Sequence, residues 1–334
     1  MLKSLFKPSR RVIGVDLGAS SITLVEVLHK QKQHIITKAV REPIKNVDAL
    51  THFLEEIKGS LDLKKSVVSV AIHGSKLIAR VVSMPILEED ELRQALKFEE
   101  EVYMPFPIEE RVSDFAVLKK RQSDQLVLLV GSRRSVVEEA IKPFLDAQVP
   151  LSVTDISGIC LVNLFEFVNP KEKLSKASVL LDIGDQYTIF TIQKEGLPML
   201  IRDISIGGKM FTEQIEDAFR ISYNEAELLK CNPPEDKKEA ILKATEPIFY
   251  RLLEEVRVSM EYTGNLDIGE IAGMYVSGGG SRTVGLIGYF KKFLGIPVET
   301  WDPLVGFDVG KGVNRGNLET WKYSLHIALG AALR

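Results

Sequence analysis

Two short stretches of this chain set an aspartate in surroundings that could do chemistry: VIGVDLGASSITLVEV at 12–27 and VLLDIGDQYTIFTI at 179–192. Each is a β-branched apolar run, an Asp-x-Gly, a tight polar turn and a second apolar run, the pattern of a hairpin. A turn rich in Gly and Ser aims successive backbone N–H groups into one concavity, which suits phosphate oxygens. Gly18, Ser20 and Ser21 have the small size that this task requires. A carboxylate beside phosphates repels them, so Asp16 and Asp182 make sense there only with a divalent cation, Mg²⁺ reached through its waters. Either motif alone also reads as a plain hairpin cap. The two stand about half of the 334 residues apart, which points to a duplicated domain and not to a short-period repeat.

Two further features could enclose a ligand. SGGGS at 277–281 falls between a strand pattern at 271–276 and a helix pattern at 284–294. Its glycines would let backbone approach a nucleotide while the helix N-terminus faces negative charge; a tight packing turn is the alternative. Glu227 and Lys230 are one helical turn apart, so the carboxylate could take ribose hydroxyls while the lysine stem lies along adenine. A surface ion pair is the simpler account of them.

The elements that must position these residues follow from periodicity. In the first half, Leu50, Leu54 and Ile57 space a helix over 47–57, and SVVSVAI at 66–72 is a buried strand. A segment with its own rhythm follows: strand 76–83, helix 88–103, strands 112–118 and 125–130, helix 135–147 and strand 151–154, expected as an inserted subdomain. Pro105 and Pro107 must stop its first helix, since they lack amide donors and push their preceding residues out of the helical region. In the second half, a Gly-rich start precedes Phe211, Ile215 and Phe219 on one helical face. Ser222 and Glu225 form a capping box for a short helix to Lys230, which Pro233 and Pro234 end. Ile248, Leu252, Val256 and Met260 then mark a helix over 246–262, closed by Gly264 and Asn265. HIALGAALR at 326–334 is a small-residue helix suited to close packing, with His326 a packing residue.

Composition narrows the function classes. The formal net charge is -3, from 43 Lys+Arg against 46 Asp+Glu, so the positive field that generic nucleic-acid binding requires is missing. Cys160 and Cys231 lie in no Cys-x-x-Cys or Cys/His cluster, which speaks against a secreted disulfide scaffold or a zinc site and for a reducing cytosol. The histidines form no HExxH, and there is neither a P-loop nor a compact G-x-G-x-x-G. No apolar run approaches the roughly 18 residues of a membrane span. The basic start MLKSLFKPSRR has no apolar core after it and is not a signal peptide; a frayed terminus fits it better than a membrane anchor.

The ordered set VDLGASS, LDIGDQYT, RDISIGGKMFTEQI, EAELLK, VSGGGSRTVGL and IALGAALR resembles the actin-like ATPase superfamily, whose members hold a nucleotide between two duplicated lobes. KFEEEVYMPFPIEERVSDFAVL at 97–118 resembles the hallmark segment of the PilM family of type IV pilus assembly, with FtsA the nearest relative in architecture. The resemblance implies an α/β, two-lobed, ribonuclease H-like duplicated fold with an inserted SHS2-type α+β subdomain. Its expected division is 1–73 for the first lobe, 74–152 for the insert, 153–180 for an interlobe helix and 181–334 for the second lobe, with the C-terminal helix returning to the first. It implies ATP and Mg²⁺ as cofactors, Asp16, Gly18, Ser20 and Ser21 as the first phosphate loop, and Asp182, Gly184 and Thr188 as the second. Gly207, Gly208, Glu227, Lys230, Gly278, Gly279 and Gly280 would enclose the nucleoside side. The implied partner is the N-terminal cytoplasmic tail of a PilN-like inner-membrane protein, docking beside the insert and linked onward to pilus motor ATPases; self-association is a further option. The protein would be cytoplasmic, peripheral at the inner membrane through its partners.

One departure bears on activity. The second loop carries Asp185, Gln186 and Tyr187 where the family has small Gly, Ser or Thr, so ATP is expected to bind with little or no turnover. A small-molecule kinase or phosphatase of the same superfamily is the main alternative, with Asp155 as the general base; Asp155 is equally an N-cap. An FtsA-like filament scaffold is the third reading, but Arg334 directly follows the packed helix and leaves no amphipathic C-terminal grip, so recruitment is expected to be indirect.

Overall fold

The computed structural model describes residues 9–31, 33–74, 77–262 and 268–334. Most of the basic N-terminal stretch and the Gly264–Asn265 stop lie outside the described residues. The chain runs β1 (Arg10–Leu17), β2 (Ser21–Lys30), β3 (Gln33–Pro43), α1 (Val47–Lys58), β4 (Ser66–Ile72), β5 (Ile78–Pro85), α2 (Glu89–Tyr103), β6 (Arg111–Lys120), β7 (Asp124–Arg133), α3 (Arg134–Asp146), β8 (Val153–Ile156), α4 (Ser157–Val168) and α5 (Lys171–Leu174). It continues with β9 (Ala177–Ile183), β10 (Thr188–Lys194), β11 (Leu197–Ile204), α6 (Gly208–Phe219), α7 (Tyr223–Cys231), α8 (Glu235–Glu261), β12 (Ile271–Ser277), α9 (Leu286–Leu294), β13 (Val298–Thr300), β14 (Asp308–Val309), α10 (Arg315–Trp321) and α11 (His326–Ala332).

The duplication is visible in the sheets. In the first, β3, β2 and β1 form an antiparallel meander, and β4 and β8 add in parallel beside β1. In the second, β11, β10 and β9 repeat the meander, and β12 and β13 repeat the parallel additions. The central strands are apolar on both faces, as strands sandwiched between helices must be. Phe211, Phe249 and Phe290, all fully buried, bring α6, α8 and α9 onto the second sheet. Each such side chain stabilises by about 1.5–3 kcal/mol on burial.

A third sheet, ordered β5-β7-β6, packs its own small core of Val82, Met84, Leu92, Leu96 and Val127 under α2. The helix before Pro105 ends at Tyr103 as its prolines require. Two neighbours of this unit pack elsewhere. Phe144 of α3 joins the first-lobe core, and β8, two residues later than the expected strand at 151–154, pairs with β4 in the first sheet.

Close packing fixes the lobes against each other. A Cβ at Gly14 of β1 would lie 2.0 Å from the Ala328 carbonyl oxygen, and one at Gly330 would lie 1.9 Å from that of Cys160. Only glycines admit α11 so near to β1 and α4. His326 is buried there against Trp301, as a packing residue. The long helix differs from expectation, because α8 is a 27-residue helix that starts after Pro234 and carries Pro247 inside it. The helix tolerates Pro247 in its interior, since Ile241 before it and Ile248 after it hold α8 to the core. Among the described residues, no helix is long and apolar enough to cross a membrane.

Candidate functional site

The two hairpin turns confront each other across one cleft of about 330 Å³. Its lining includes Asp16, Gly18, Ser20 and Ser21 from the first turn, and Asp182, Gly184, Asp185 and Tyr187 from the second. The turns share a backbone form: the Gly18 amide donates to the Ser21 carbonyl at 3.0 Å, and the Gly184 amide to that of Tyr187 at 2.9 Å. Gly208, Glu227, Lys230, Gly278, Gly279 and Gly280 line the same space. Twelve of the fourteen residues singled out by sequence therefore share one cleft.

Thr188 and Gly207 are not among its lining residues. Thr188 is fully buried and its hydroxyl donates to the Ile206 carbonyl at 2.7 Å. Strand alternation accounts for this, since Tyr187 and Ile189 on either side line the cleft instead. Gly207 is a spacer: a Cβ there would lie 2.3 Å from the Asp185 carbonyl oxygen. The helix end expected after SGGGS also sits elsewhere, because a single 3₁₀ turn over Gly279–Arg282 intervenes and α9 starts at Leu286. Asp155 is neither base nor cap: it is buried, accepts a hydrogen bond from Arg334 Nε at 2.5 Å and does not line the cleft.

Lys230 lies deeper than a side chain along a base. Its buried Nζ donates to Glu227 at 2.5 Å, to Thr212 Oγ1 at 2.8 Å and to the Gly208 carbonyl at 3.2 Å. The ion pair thus braces the N-terminus of α6 and holds Glu227 at the cleft wall.

The aspartates are electrostatically uncomfortable. Burial, reinforced by the Asp182 charge and opposed by Arg41, pushes Asp16 up to about 8. Burial pushes Asp182 up to about 6, with the Ser277 hydroxyl, donating at 2.7 Å, working against it. Asp16 Oδ1 is buried and, among the described residues, without a hydrogen-bond partner. An orphaned carboxylate oxygen facing a second carboxylate suits a hard cation. Among the described residues, no cluster of three or more His, Cys, Asp or Glu could hold a metal by itself. Such an ion needs further oxygens from water and phosphate, as Mg²⁺ does when it arrives with a nucleotide.

Several lining residues carried no motif. Arg41 of β3 donates to Ser21 Oγ at 3.1 Å, and its Nε is buried and, among the described residues, without a partner. Strand register brings it in, since Asp16 pairs with Thr23 and Thr23 with Arg41 across three strands. That row could have been counted from the hairpin but for the bulge between Glu26 and Val27. His73, at the end of β4, lies edge-on to Tyr187 at 5.9 Å and is pushed down to about 4 by burial, so it is neutral. Arg282, Trp321 and Tyr323 complete the wall and have no signature in the sequence.

A duplicated sheet whose two Asp-x-Gly turns face each other across a cleft is the two-lobed actin-like fold. EutJ from Carboxydothermus hydrogenoformans shares it (15% identity, TM-score 0.57, covering 98% of this chain and 90% of that one). So does MreB5 of Spiroplasma citri bound to ADP (15% identity, TM-score 0.52, 88% and 92%). Within this fold, residues 14–334 match the family described as type IV pilus assembly protein PilM, and the chain belongs to that family. A chain of the solved PilM-PilN type IV pilus biogenesis complex is 26% identical, with a TM-score of 0.83 over 97% of this chain and 98% of that one.

Proposed function

We propose that this protein is a nucleotide-dependent adaptor of the type IV pilus assembly complex. It binds Mg-ATP between its lobes and takes the cytoplasmic tail of a PilN-like inner-membrane protein, which places it peripherally at that membrane and links it to the motor. The observation that carries the adaptor reading is the near full-length match to the PilM-PilN complex. Exposed Ile86, Phe98, Val102, Ile108 and Val117 on the unit built from the third sheet and α2 suit it to protein contacts. The phosphotransferase alternative loses its named base, since Asp155 lies outside the cleft.

In the cleft, the backbone amides and hydroxyls of the two turns hold the phosphates, and Glu227 and Gly278 to Gly280 bound the nucleoside side. Asp16 and Asp182 would hold Mg²⁺, and the ion would supply charge neutralisation for the phosphates. Arg41 adds a cation from the first lobe. Turnover is slow or nil, because the second turn spends a position that could serve phosphate on the carboxylate of Asp185.

Asp182→Ala in the full chain should abolish Mg-ATP binding in titration calorimetry; unchanged affinity with an intact fold would refute the pocket. A synthetic peptide of the partner's cytoplasmic tail should be retained on the immobilised protein, and differently with and without ATP. Failure to retain it under both conditions rejects the adaptor reading.

A further inference from the structure

Asp185 occupies a position that its neighbours define closely. Its backbone is pinned: the Gly184 amide closes the turn on Tyr187 at 2.9 Å, and the Asp185 carbonyl accepts the Lys209 amide at 2.9 Å. Gly207 packs so tightly on it that a Cβ there would lie 2.3 Å from the Asp185 carbonyl oxygen. The loop cannot swing as a body without breaking these contacts. Asp185 lines the cleft opposite Ser20, Ser21 and Arg41 of the first lobe, and the Ser20 hydroxyl works against the rise that burial causes in its carboxyl. There it lies in the field of Lys230, Lys209 and Arg41, with Glu227 opposed to it.

These donors and cations, a hydroxyl of the first turn and a guanidinium whose buried Nε has no partner among the described residues, are what a phosphate group would seek. We infer that Asp185 is a built-in competitor for the phosphates: its carboxylate shares the cleft with Ser20, Ser21 and Arg41, and a nucleotide seats only by taking these partners from it. The inference rests on the reading of the cleft as a nucleotide site and adds its regulation. Asp185 sets a weak affinity and penalises the more highly charged triphosphate more than the diphosphate, since repulsion grows with the charge it meets.

The test is calorimetric titration of Mg-ATP and Mg-ADP into the wild-type chain, Asp185→Asn and Asp185→Ser. Asparagine keeps the size and removes the charge, while serine restores a small polar residue. Both should gain about tenfold or more in Mg-ATP affinity, with a smaller gain for Mg-ADP, so the ratio of the two rises. A purely structural role would lower both affinities together. Unchanged or weaker Mg-ATP binding by both folded variants, against a wild type that binds, overturns the competitor and leaves the nucleotide site standing. No binding by any of the three overturns the site itself and the competitor with it.

Discussion

The two turns are the same piece of backbone carrying different chemistry. In both, the aspartate pairs with the residue seven places on, Asp16 with Thr23 and Asp182 with Ile189. In both, a Cβ on the glycine would strike the carbonyl that closes the turn, at 2.8 Å for Gly18 and 2.9 Å for Gly184. The parallel strand alongside makes the difference. Asp182 sits in register with Ser277, whereas Asp16 sits in register with Ala71. One carboxylate is therefore met by a hydroxyl and the other has an orphaned oxygen. Duplication kept what the backbone needs, and the side chains around it were left free to diverge.

The largest break in this likeness lies just past the parallel strands. Gly278 has a φ of +85° and a Cβ there would lie 2.3 Å from the Ile183 carbonyl oxygen. Gly74, past the matching strand of the first lobe, has a φ of +135° but open space around it. Gly278→Ala combines strain with a backbone clash and should cost about 3 kcal/mol or more, whereas Gly74→Ala should cost about 1–2 kcal/mol from strain alone. Urea unfolding of the two variants checks this. Equal losses would mean that the second turn is not wedged against its strand.

Much of the site was legible because short-range rules place it. Asp-x-Gly between apolar runs specifies a hairpin wherever it occurs, and the Ser222–Glu225 capping box forms as written. What failed depended on partners distant in sequence. Arg41 enters the cleft through two strand registers and a bulge, and slipping one residue would turn it to the other face. Thr188 was misread for the same reason, since the strand's alternation decides which of its polar residues meets the cleft. Asp155 looked like a cap because it precedes a helix, but Ile156 is the cap residue, and Asp155 accepts the Ile156 amide at 2.8 Å while its other oxygen takes Arg334, 179 residues away. The helix expected over 246–262 starts at Glu235 instead, since the register of Ile248, Leu252, Val256 and Met260 marks only its second half.

The same pair of glycines differs in what holds their amides. Gly278 donates to the Tyr323 carbonyl at 2.7 Å, while Gly74 donates to the Asp203 carboxylate of β11 at 2.5 Å. Only the second bond can titrate. Burial pushes Asp203 up to about 6, with the Gly74 amide pulling it back. The folded chain thus holds this proton to higher pH than the unfolded chain, whose aspartate titrates near 3.9. The contribution to stability is complete below that value and is lost as pH rises through about 6. Asp203→Asn keeps an acceptor and removes the loss, so its stability relative to wild type should improve by about 2–3 kcal/mol between pH 4 and pH 8. Urea unfolding at several pH values measures it, and a difference that stays flat across that range contradicts the buried, titrating anchor.

The finest distinction is the hydroxyl itself. Removing it in Ser277→Ala leaves Asp182 as poorly served as Asp16, so the carboxyl should titrate higher and the fold should lose about 1 kcal/mol at neutral pH. Ala71→Ser makes the reciprocal change. Ala71 is fully buried beside Asp16, and a hydroxyl there could reach the orphaned Oδ1, drawing Asp16 down toward the range of Asp182. Carboxyl-carbon NMR titrations of the two variants without added metal should therefore move the aspartates in opposite directions, up for Asp182 and down for Asp16. If both carboxyls titrate as in the wild type, strand register is not the source of the difference, and the depth of each turn in the cleft must be. If only Asp16 moves, the first turn alone is tuned by its neighbour, and the second is held by the charges around Asp185.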